Sequence, residues 1–161
     1  MFWGYFQLGY GALLRKNFCG APFPNNGGYL WLCGQFMATL LALQRALRIL
    51  GSEFGWDHIR LADVIMSIAM VYEAQGKYGE AISWNERALK IFEREFGVDH
   101  INSADTIQNI GIVYSLQGKY GEAISWYERA LKIKEREFGV DHINSADVIM
   151  GIGFVYSSQG M

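Results

Sequence analysis

Residues Gly76 to Gln117 read GKYGEAISWNERALKIFEREFGVDHINSADTIQNIGIVYSLQ, and the next 42 residues, Gly118 to Gln159, read GKYGEAISWYERALKIKEREFGVDHINSADVIMGIGFVYSSQ. A weaker third copy runs without a gap from Gly34 to Gln75. A fixed period of about 20–50 residues is typical of repeat proteins, in which each unit stacks on its neighbours. The repeat therefore predicts a solenoid, which presents an extended surface rather than a catalytic pocket.

The sequence of each copy contains two segments with the apolar spacing of an α-helix. Apolar or small residues in 102–117 recur at i, i+3, i+4 and i+7, which is one face of a helix, and Asn102 is a suitable N-cap. Residues 120–138 carry a broad apolar stripe, with most of the charged residues off it. Gly118, between the two segments, can adopt the left-handed conformation that ends a helix. Each copy is therefore predicted to be a helical hairpin.

Two first helices of these hairpins carry a glycine at mid-helix. Gly111 and Gly153 occupy equivalent positions, and Ala69 occupies this position in the weaker copy. A glycine inside a helix costs about 1 kcal/mol relative to alanine. The pattern indicates that another helix crosses closely at this point, so that only a small residue fits.

The residues of the repeat resemble the tetratricopeptide repeat (TPR). The residues that carry the resemblance are Ile107, Ile110, Gly111, Tyr114, Gly118, Tyr120, Ala123, Tyr127, Ala130 and Leu131. The 42-residue period and the Phe-Gly-Val-Asp-His loop are similar to the kinesin-light-chain type, although Ile101 and Ile143 stand where that type often has proline. The resemblance covers Gly34 to Gly160. It implies an all-α fold, a right-handed α-solenoid of antiparallel helical hairpins, that binds peptides or proteins in a concave groove.

The register of the repeat divides the chain at Gly34. Residues 1–33 contain both cysteines, both prolines and no acidic residue, and we expect an irregular or poorly ordered segment there. The solenoid is predicted over 34–161. It consists of a lone second helix in a partial repeat (34–58), two full repeats (59–98 and 99–140) and the first helix of a truncated repeat (141–161).

The composition of the chain bounds its partners and its compartment. A net charge of −2 argues against a nucleic-acid binder, which would normally show a basic face. Cys19 and Cys33 form neither a disulfide framework nor a metal motif, so we expect free thiols in a reducing compartment. The apolar run Gly28 to Leu43 is shorter than the roughly 20 residues that span a bilayer. We therefore expect a cytoplasmic protein without a cofactor and without membrane insertion.

Three Asp-His pairs recur in the loops between hairpins, at residues 57–58, 99–100 and 141–142. Histidines one repeat apart are separated by about 20 Å, too far to share one metal ion. No serine or cysteine nucleophile recurs beside the pairs, so we predict that the protein is not an enzyme. We expect each loop histidine to help cap the helix that follows.

The first helices supply the plausible partner-binding surface, since they line the groove of TPR proteins. The candidate residues off their packing stripe are Asp63, Met66, Met70, Glu73, Asp105, Gln108, Asn109, Ile112, Ser115, Asp147, Met150 and Phe154. Three of the seven positions at which the strong copies differ fall in this set. The set is apolar and acidic and contains no lysine or arginine, which favours a basic or amphipathic peptide. Alternatively, the three aspartates stabilise the N-terminal ends of their helices.

The prediction of function is therefore a non-catalytic module that binds a peptide or protein partner in the concave groove. The alternative is structural: a spacer, or a self-associating fragment of a longer TPR array. The last predicted helix, Asn144 to Gln159, lacks a second helix to cover it, so Ile149, Ile152 and Val155 should be partly exposed. Such an uncapped helix would allow a homo-oligomer to form through this end.

Overall fold

Six α-helices follow one another in the part of the chain that the structure describes. The structure is a computed structural model, and it describes the backbone of residues 26–160 and the side chains of residues 34–160. The helices are α1 (Asn26–Phe54), α2 (Ala62–Ala74), α3 (Tyr78–Phe96), α4 (Ile101–Leu116), α5 (Tyr120–Phe138) and α6 (Ala146–Ser158). Short 3-10 turns, Ile59–Leu61 and Ile143–Ser145, precede α2 and α6. The predicted all-α solenoid of helical hairpins is confirmed, with α2–α3 and α4–α5 as the two complete hairpins.

The chain divides into two compact units, residues 1–39 and 40–161. The described part of the first unit is the N-terminal portion of α1, and the second unit contains the hairpins. Helix α1 begins at Asn26, nine residues before the helix start that the repeat register predicts, so 26–33 are helical rather than irregular. The rest of the predicted irregular segment, residues 1–25 with Cys19, lies outside the described residues. In the described part of the chain, no helix combines the length and the hydrophobicity that a membrane crossing requires.

The two hairpins bury their apolar stripes in two hydrophobic clusters. One cluster joins α1, α2 and α3 through residues such as Leu47, Ile65 and Ile91. The other joins α4 and α5 with α6, and includes Ile107 and Val148. Each second helix therefore packs against its own first helix on one side and against the first helix of the next repeat on the other.

The glycine at the middle of α4 confirms the expected close crossing. A Cβ atom on Gly111 would lie 3.2 Å from the Tyr127 ring and 3.3 Å from both the Ala123 carbonyl oxygen and the Trp126 Cβ atom, all on α5. The equivalent residue on α6, Gly153, has no such neighbour within 4 Å among the described residues. The predicted crossing is therefore found at α4 and not at α6.

The loop histidines cap the first helices, as predicted. The Nδ1 atom of His100 accepts a hydrogen bond from the backbone N–H of Asn102 at 3.2 Å, and His58 and His142 make the equivalent bond at the same distance. The predicted N-cap Asn102 is therefore wrong, because the histidine two residues earlier takes this position. Each histidine ring also packs on the phenylalanine that ends the preceding helix, with ring centroids 5.1–5.3 Å apart.

Arginines from the second helices bind the loops that precede their own hairpins. Arg136 on α5 donates to the backbone carbonyl of Asp99, and Arg94 on α3 donates to the backbone carbonyl of Asp57. Arg129 on α5 bridges the Asp99 and Glu93 carboxylates, with nitrogen–oxygen distances of 2.6 Å to each. The recurring Asp-His loops thus have a structural role in joining one repeat to the next.

Candidate functional site

The predicted binding residues lie on α2, α4 and α6, in rows that the 42-residue period keeps in register. Asp63, Asp105 and Asp147 form an acidic row near the N-terminal ends of the helices. The next two rows are Met66, Gln108 and Met150, and then Met70, Ile112 and Phe154. A fourth row begins with Glu73 and Ser115, and Asn109 lies between the second and third rows.

The three aspartates have different surroundings. Asp63 and Asp147 lie in the first turns of α2 and α6, where the helix dipole favours a negative charge. Asp105 lies further along α4, and its carboxylate forms an ion pair with the Lys134 ammonium at 3.1 Å. The acidic row is therefore partly neutralised in the middle and retains its charge at both ends.

Lys134 is a residue of this surface that the sequence reasoning missed. It projects from the second helix α5, is only 7% exposed, and donates a hydrogen bond from Nζ to the Gln108 Oε1 atom at 2.9 Å. The candidate set itself contains no lysine or arginine, but this ammonium from the second helix contacts two of its members, Asp105 and Gln108. The sequence held a signal, because Phe92 is replaced by Lys134 in the next copy and Met66 by Gln108. An apolar pair is replaced by a hydrogen-bonded polar pair.

The second row is partly used in contacts between repeats. Met66 on α2 is half-buried, and its Sδ atom lies 2.9 Å from the Thr106 hydroxyl oxygen on α4, which donates to it. Ser115 is buried, and Glu73, Gln108 and Asn109 are half-buried. These residues can contribute only an edge or a polar atom to a partner.

Among the candidate residues, the most exposed apolar side chains are in the second and third rows. Met70 is 41% exposed, Met150 is 55% exposed and Phe154 is 62% exposed, and Ile112 between them is half-buried. Together with Asp63 and Asp147, they form a surface of exposed hydrophobic side chains beside exposed carboxylates. We call these residues the first-helix surface.

Tyr127 is a second residue that the prediction did not include in the site. It is 4% exposed and its ring lies between α4 and α6, where a Cβ atom on Gly151 would lie 2.9 Å from the ring. Burial, with a smaller contribution from the negative charge of Glu73, raises the pKa of the Tyr127 hydroxyl to about 12. The phenol is therefore neutral at physiological pH and forms part of the packing below the surface.

Four of the seven positions at which the strong copies differ form two contacting pairs, each with one side chain on α5. Lys134 binds Gln108, and Tyr127 fills the space that Gly151 leaves. The corresponding residues one repeat earlier are Met66 with Phe92, and Asn85 with Asn109. Variation at these four positions therefore has an intramolecular reason. At the position Ile112/Phe154, Ile112 packs partly against the hydrophobic core, whereas Phe154 is 62% exposed.

The chemistry that this surface can perform is recognition. Within residues 34–160 no group of three or more His, Cys, Asp or Glu side chains is placed to hold a metal ion. The Nδ1 atoms of the loop histidines accept backbone hydrogen bonds, and Asp57 and Asp99 form ion pairs with Arg94 and Arg129. Exposed carboxylates beside apolar side chains can bind a cationic and partly apolar segment.

Comparisons with known proteins extend this description. The family model of the tetratricopeptide repeat matches residues 25–94, 60–136 and 106–161. The structure of BtubC (BKLC) from P. vanneervenii is similar, with a TM-score of 0.69 and 25% sequence identity, over 79% of this chain and 51% of that one. The chain thus spans about half the length of that protein.

A kinesin light chain-like protein from P. anserina with nearly identical TPR-like repeats has the same fold. Its TM-score is 0.68 at 16% identity, over 95% of this chain and 70% of that one. A single-substitution variant of that protein gives a TM-score of 0.67 at 17% identity, over 93% and 65% of the two chains. No curated protein matches the sequence.

Proposed function

Because the chain belongs to the tetratricopeptide repeat family, whose members generally mediate protein–protein interactions, we propose that it is a non-catalytic module that binds a peptide in the groove lined by α2, α4 and α6. The partner is a basic or amphipathic peptide, laid along the first helices in an extended or helical conformation. Its apolar side chains contact the exposed row, and its lysines or arginines contact the aspartates.

The observation that carries this proposal is that exposed apolar and exposed acidic side chains occupy equivalent positions on α2 and α6. Phe154 and Met70 are exposed at equivalent positions, and Asp147 and Asp63 precede them by the same number of residues. Large apolar side chains that remain exposed together commonly mark an interaction site. Carboxylates beside them select a cationic partner over an anionic one.

Lys134 refines the chemistry of the proposed partner. Since its ammonium neutralises Asp105, the acidic attraction is greatest at the two ends of the row, near Asp63 and Asp147. The middle of the surface offers Gln108 and Ile112, which suit a polar or small apolar side chain. A peptide with cationic residues near both ends and apolar residues between them fits this distribution.

A direct test uses a fluorescent synthetic peptide of about 18 residues that presents leucines on one helical face and lysines on the other. Its binding is measured by fluorescence anisotropy against the chain and against the triple variant Asp63→Lys, Asp105→Lys, Asp147→Lys. We expect the triple variant to bind at least tenfold more weakly. A second variant, Met70→Ser with Phe154→Ser, should also weaken binding, since it removes the exposed hydrophobic contacts.

The matched control is the triple variant Glu86→Lys, Glu95→Lys, Glu128→Lys. These three glutamates are exposed on the second helices, and their reversal changes the net charge by the same amount. The control should bind the peptide more tightly than the aspartate variant does. Equal binding by both triple variants would show that only net charge matters and would contradict the groove. Circular dichroism verifies that each variant is folded.

A second candidate function is structural, namely self-association through α6. The observation that favours it is the exposed apolar face of this helix, on which Ile149 is 44% exposed although its equivalent Ile107 is fully buried. Light scattering across a range of concentrations tests it. A constant monomer mass would contradict this candidate and leave the groove function unaffected.

A further inference from the structure

Helix α6 exposes one apolar face to solvent. On the equivalent helix α4, the same face is buried against α5. Ile149 is 44% exposed and Tyr156 is 42% exposed, whereas Ile107 on α4 is fully buried. Gly153 has no neighbour within 4 Å for a Cβ atom, although the equivalent Gly111 is crowded by α5. Val155, expected to be exposed, is fully buried, because it lies on the side of α6 that faces α5. Helix α6 is therefore covered on one side only within the described residues.

Helix α1 presents the reciprocal open face. Its Ile49 is 58% exposed, although the equivalent residues Ile91 on α3 and Ile133 on α5 are 3% and 2% exposed. Ala42 is exposed and Ala46 half-buried, while Ala88, the counterpart of Ala46, is fully buried. The opposite side of α1, which packs against the next repeat, is buried. Its Leu47 is 7% exposed and belongs to the α1–α2–α3 cluster. The exposed side of α1 corresponds to the side of α3 and α5 that packs against the first helix of the same hairpin.

We propose that α6 of one copy of this chain packs against α1 of a second copy, in the antiparallel arrangement that α4 and α5 adopt within one hairpin. This inference rests on the second candidate function, self-association, and names the surface that α6 binds. The contact places Ala42 and Ala46 of the second copy over Gly153 and Ile149. It extends the interface that the fold already repeats, because Ala46, Gly153 and Ile149 occupy positions that are buried in the other repeats.

Charges at the rim of the two faces are complementary in the same register. Within the chain, Arg129 on α5 bridges Asp99 and Glu93. The equivalents of these acids one repeat later are Asp141 and Glu135, which have no ion-pair partner among the described residues. The equivalent of Arg129 on α1 is Arg45, which is exposed. In the proposed contact, Arg45 of the second copy reaches the two acids and repeats the internal bridge.

The two faces lie on different helices, so the contact is heterologous and each added copy leaves one open α6 and one open α1. Such an interface extends the solenoid head to tail rather than closing a dimer. The weight-average mass should therefore rise with concentration without a plateau at twice the monomer mass. A contact between two α6 helices would instead be two-fold symmetric and would stop at the dimer.

The test combines two variants that each block one face, Ile149→Glu on α6 and Ile49→Glu on α1. Both side chains are exposed within a single copy, so neither substitution disturbs its core. In sedimentation velocity, wild type should form species larger than dimers, and each variant alone should remain a monomer. An equimolar mixture of the two should form dimers only, because each retains one intact face. Leu41→Glu, on the outer side of α1, is the matched control and should associate like wild type.

Charge reversal tests the register of the contact. Arg45→Glu should weaken association about tenfold or more, and the double variant Asp141→Lys, Glu135→Lys should restore it when mixed with Arg45→Glu. Self-association by the Ile49→Glu variant alone would overturn the proposed pairing while leaving self-association through α6 intact. A wild-type chain that stays monomeric at every concentration would overturn both.

Discussion

Tyr127 shows how a side chain that differs between two similar repeats changes the packing between neighbouring helices. Its counterpart in the preceding copy, Asn85, is much smaller, is 2% exposed and leaves its Oδ1 atom without a hydrogen-bond partner among the described residues. The residue facing each of them changes in the opposite sense, from Asn109 to Gly151. Since interiors are close-packed, a large side chain on one helix requires a small one on the next.

The buried phenol of Tyr127 predicts a loss of stability at alkaline pH. Its pKa is about 12 in the folded chain, and burial is the main cause, whereas an unfolded tyrosine has a pKa of about 10. Between these values the unfolded chain releases a proton that the folded chain retains. The contribution is fully present below pH 10 and is lost as the pH rises toward 12, by at most about 3 kcal/mol.

Urea unfolding measured at intervals from pH 8 to pH 11.5 checks this prediction, with Tyr127→Phe as the control. The free energy of unfolding of wild type should fall more steeply above pH 10 than that of the variant. The same slope in both proteins would show that Tyr127 ionises in the folded chain as readily as in the unfolded one.

At the scale of the helices, α4 and α5 replace an apolar contact by a polar one. In the first hairpin Met66 and Phe92 belong to one hydrophobic cluster. In the second hairpin the same two positions are Gln108 and Lys134, joined by a 2.9 Å hydrogen bond. A buried ammonium is stable only when its donors are paired, so each residue of this pair depends on the other.

We expect this dependence to be measurable as a coupling energy. Gln108→Met should lower the free energy of unfolding by about 1–2 kcal/mol, because it removes one acceptor from the Lys134 ammonium. The double variant Gln108→Met, Lys134→Phe recreates the pair of the first hairpin and should recover most of the loss. A double-mutant cycle by urea unfolding checks the prediction, and strictly additive effects would contradict it.

At the scale of the whole molecule, the arginine bridges couple one hairpin to the next. Burial disfavours the charged guanidinium of Arg129, yet its hydrogen bonds with Glu93 and Asp99 more than offset this and raise its pKa. Because Glu93 lies on α3 and Asp99 in the following loop, the bridge holds α5 against the preceding repeat. In a solenoid, such contacts between neighbours determine how cooperatively the repeats unfold.

Arg129→Met should therefore loosen the second hairpin from the first. The substitution keeps the apolar stem and removes both charged hydrogen bonds, so we expect a loss of about 1–2 kcal/mol in the free energy of unfolding. Hydrogen exchange should become faster in α5 and α6 than in α2 and α3. The matched variant Arg87→Met removes only one bond, 3.3 Å long, to the Trp56 carbonyl, and its effect should be smaller. Uniform acceleration along the chain would contradict the proposed coupling.

The repeat sequence predicted most of the fold, because apolar periodicity, turn glycines and copy register depend on local chemistry. Both hairpins and the capping role of His100 followed from these signals. The start of α1 did not, since residues 26–33 depart from the repeat consensus although their backbone is helical. For the first-helix surface, the 42-residue register predicted which residues occupy equivalent positions on successive helices. The partner that this surface binds stays a proposal.

The sequence by itself determined that this chain is an α-solenoid, because nearly identical 42-residue units form similar hairpins and each hairpin must stack to bury its stripe. Only the tertiary structure decided which side chains cross between helices. Lys134 reaches Asp105 and Gln108, and Tyr127 fills the space above Gly151. These features depend on distances between segments far apart in the chain, which periodicity does not encode.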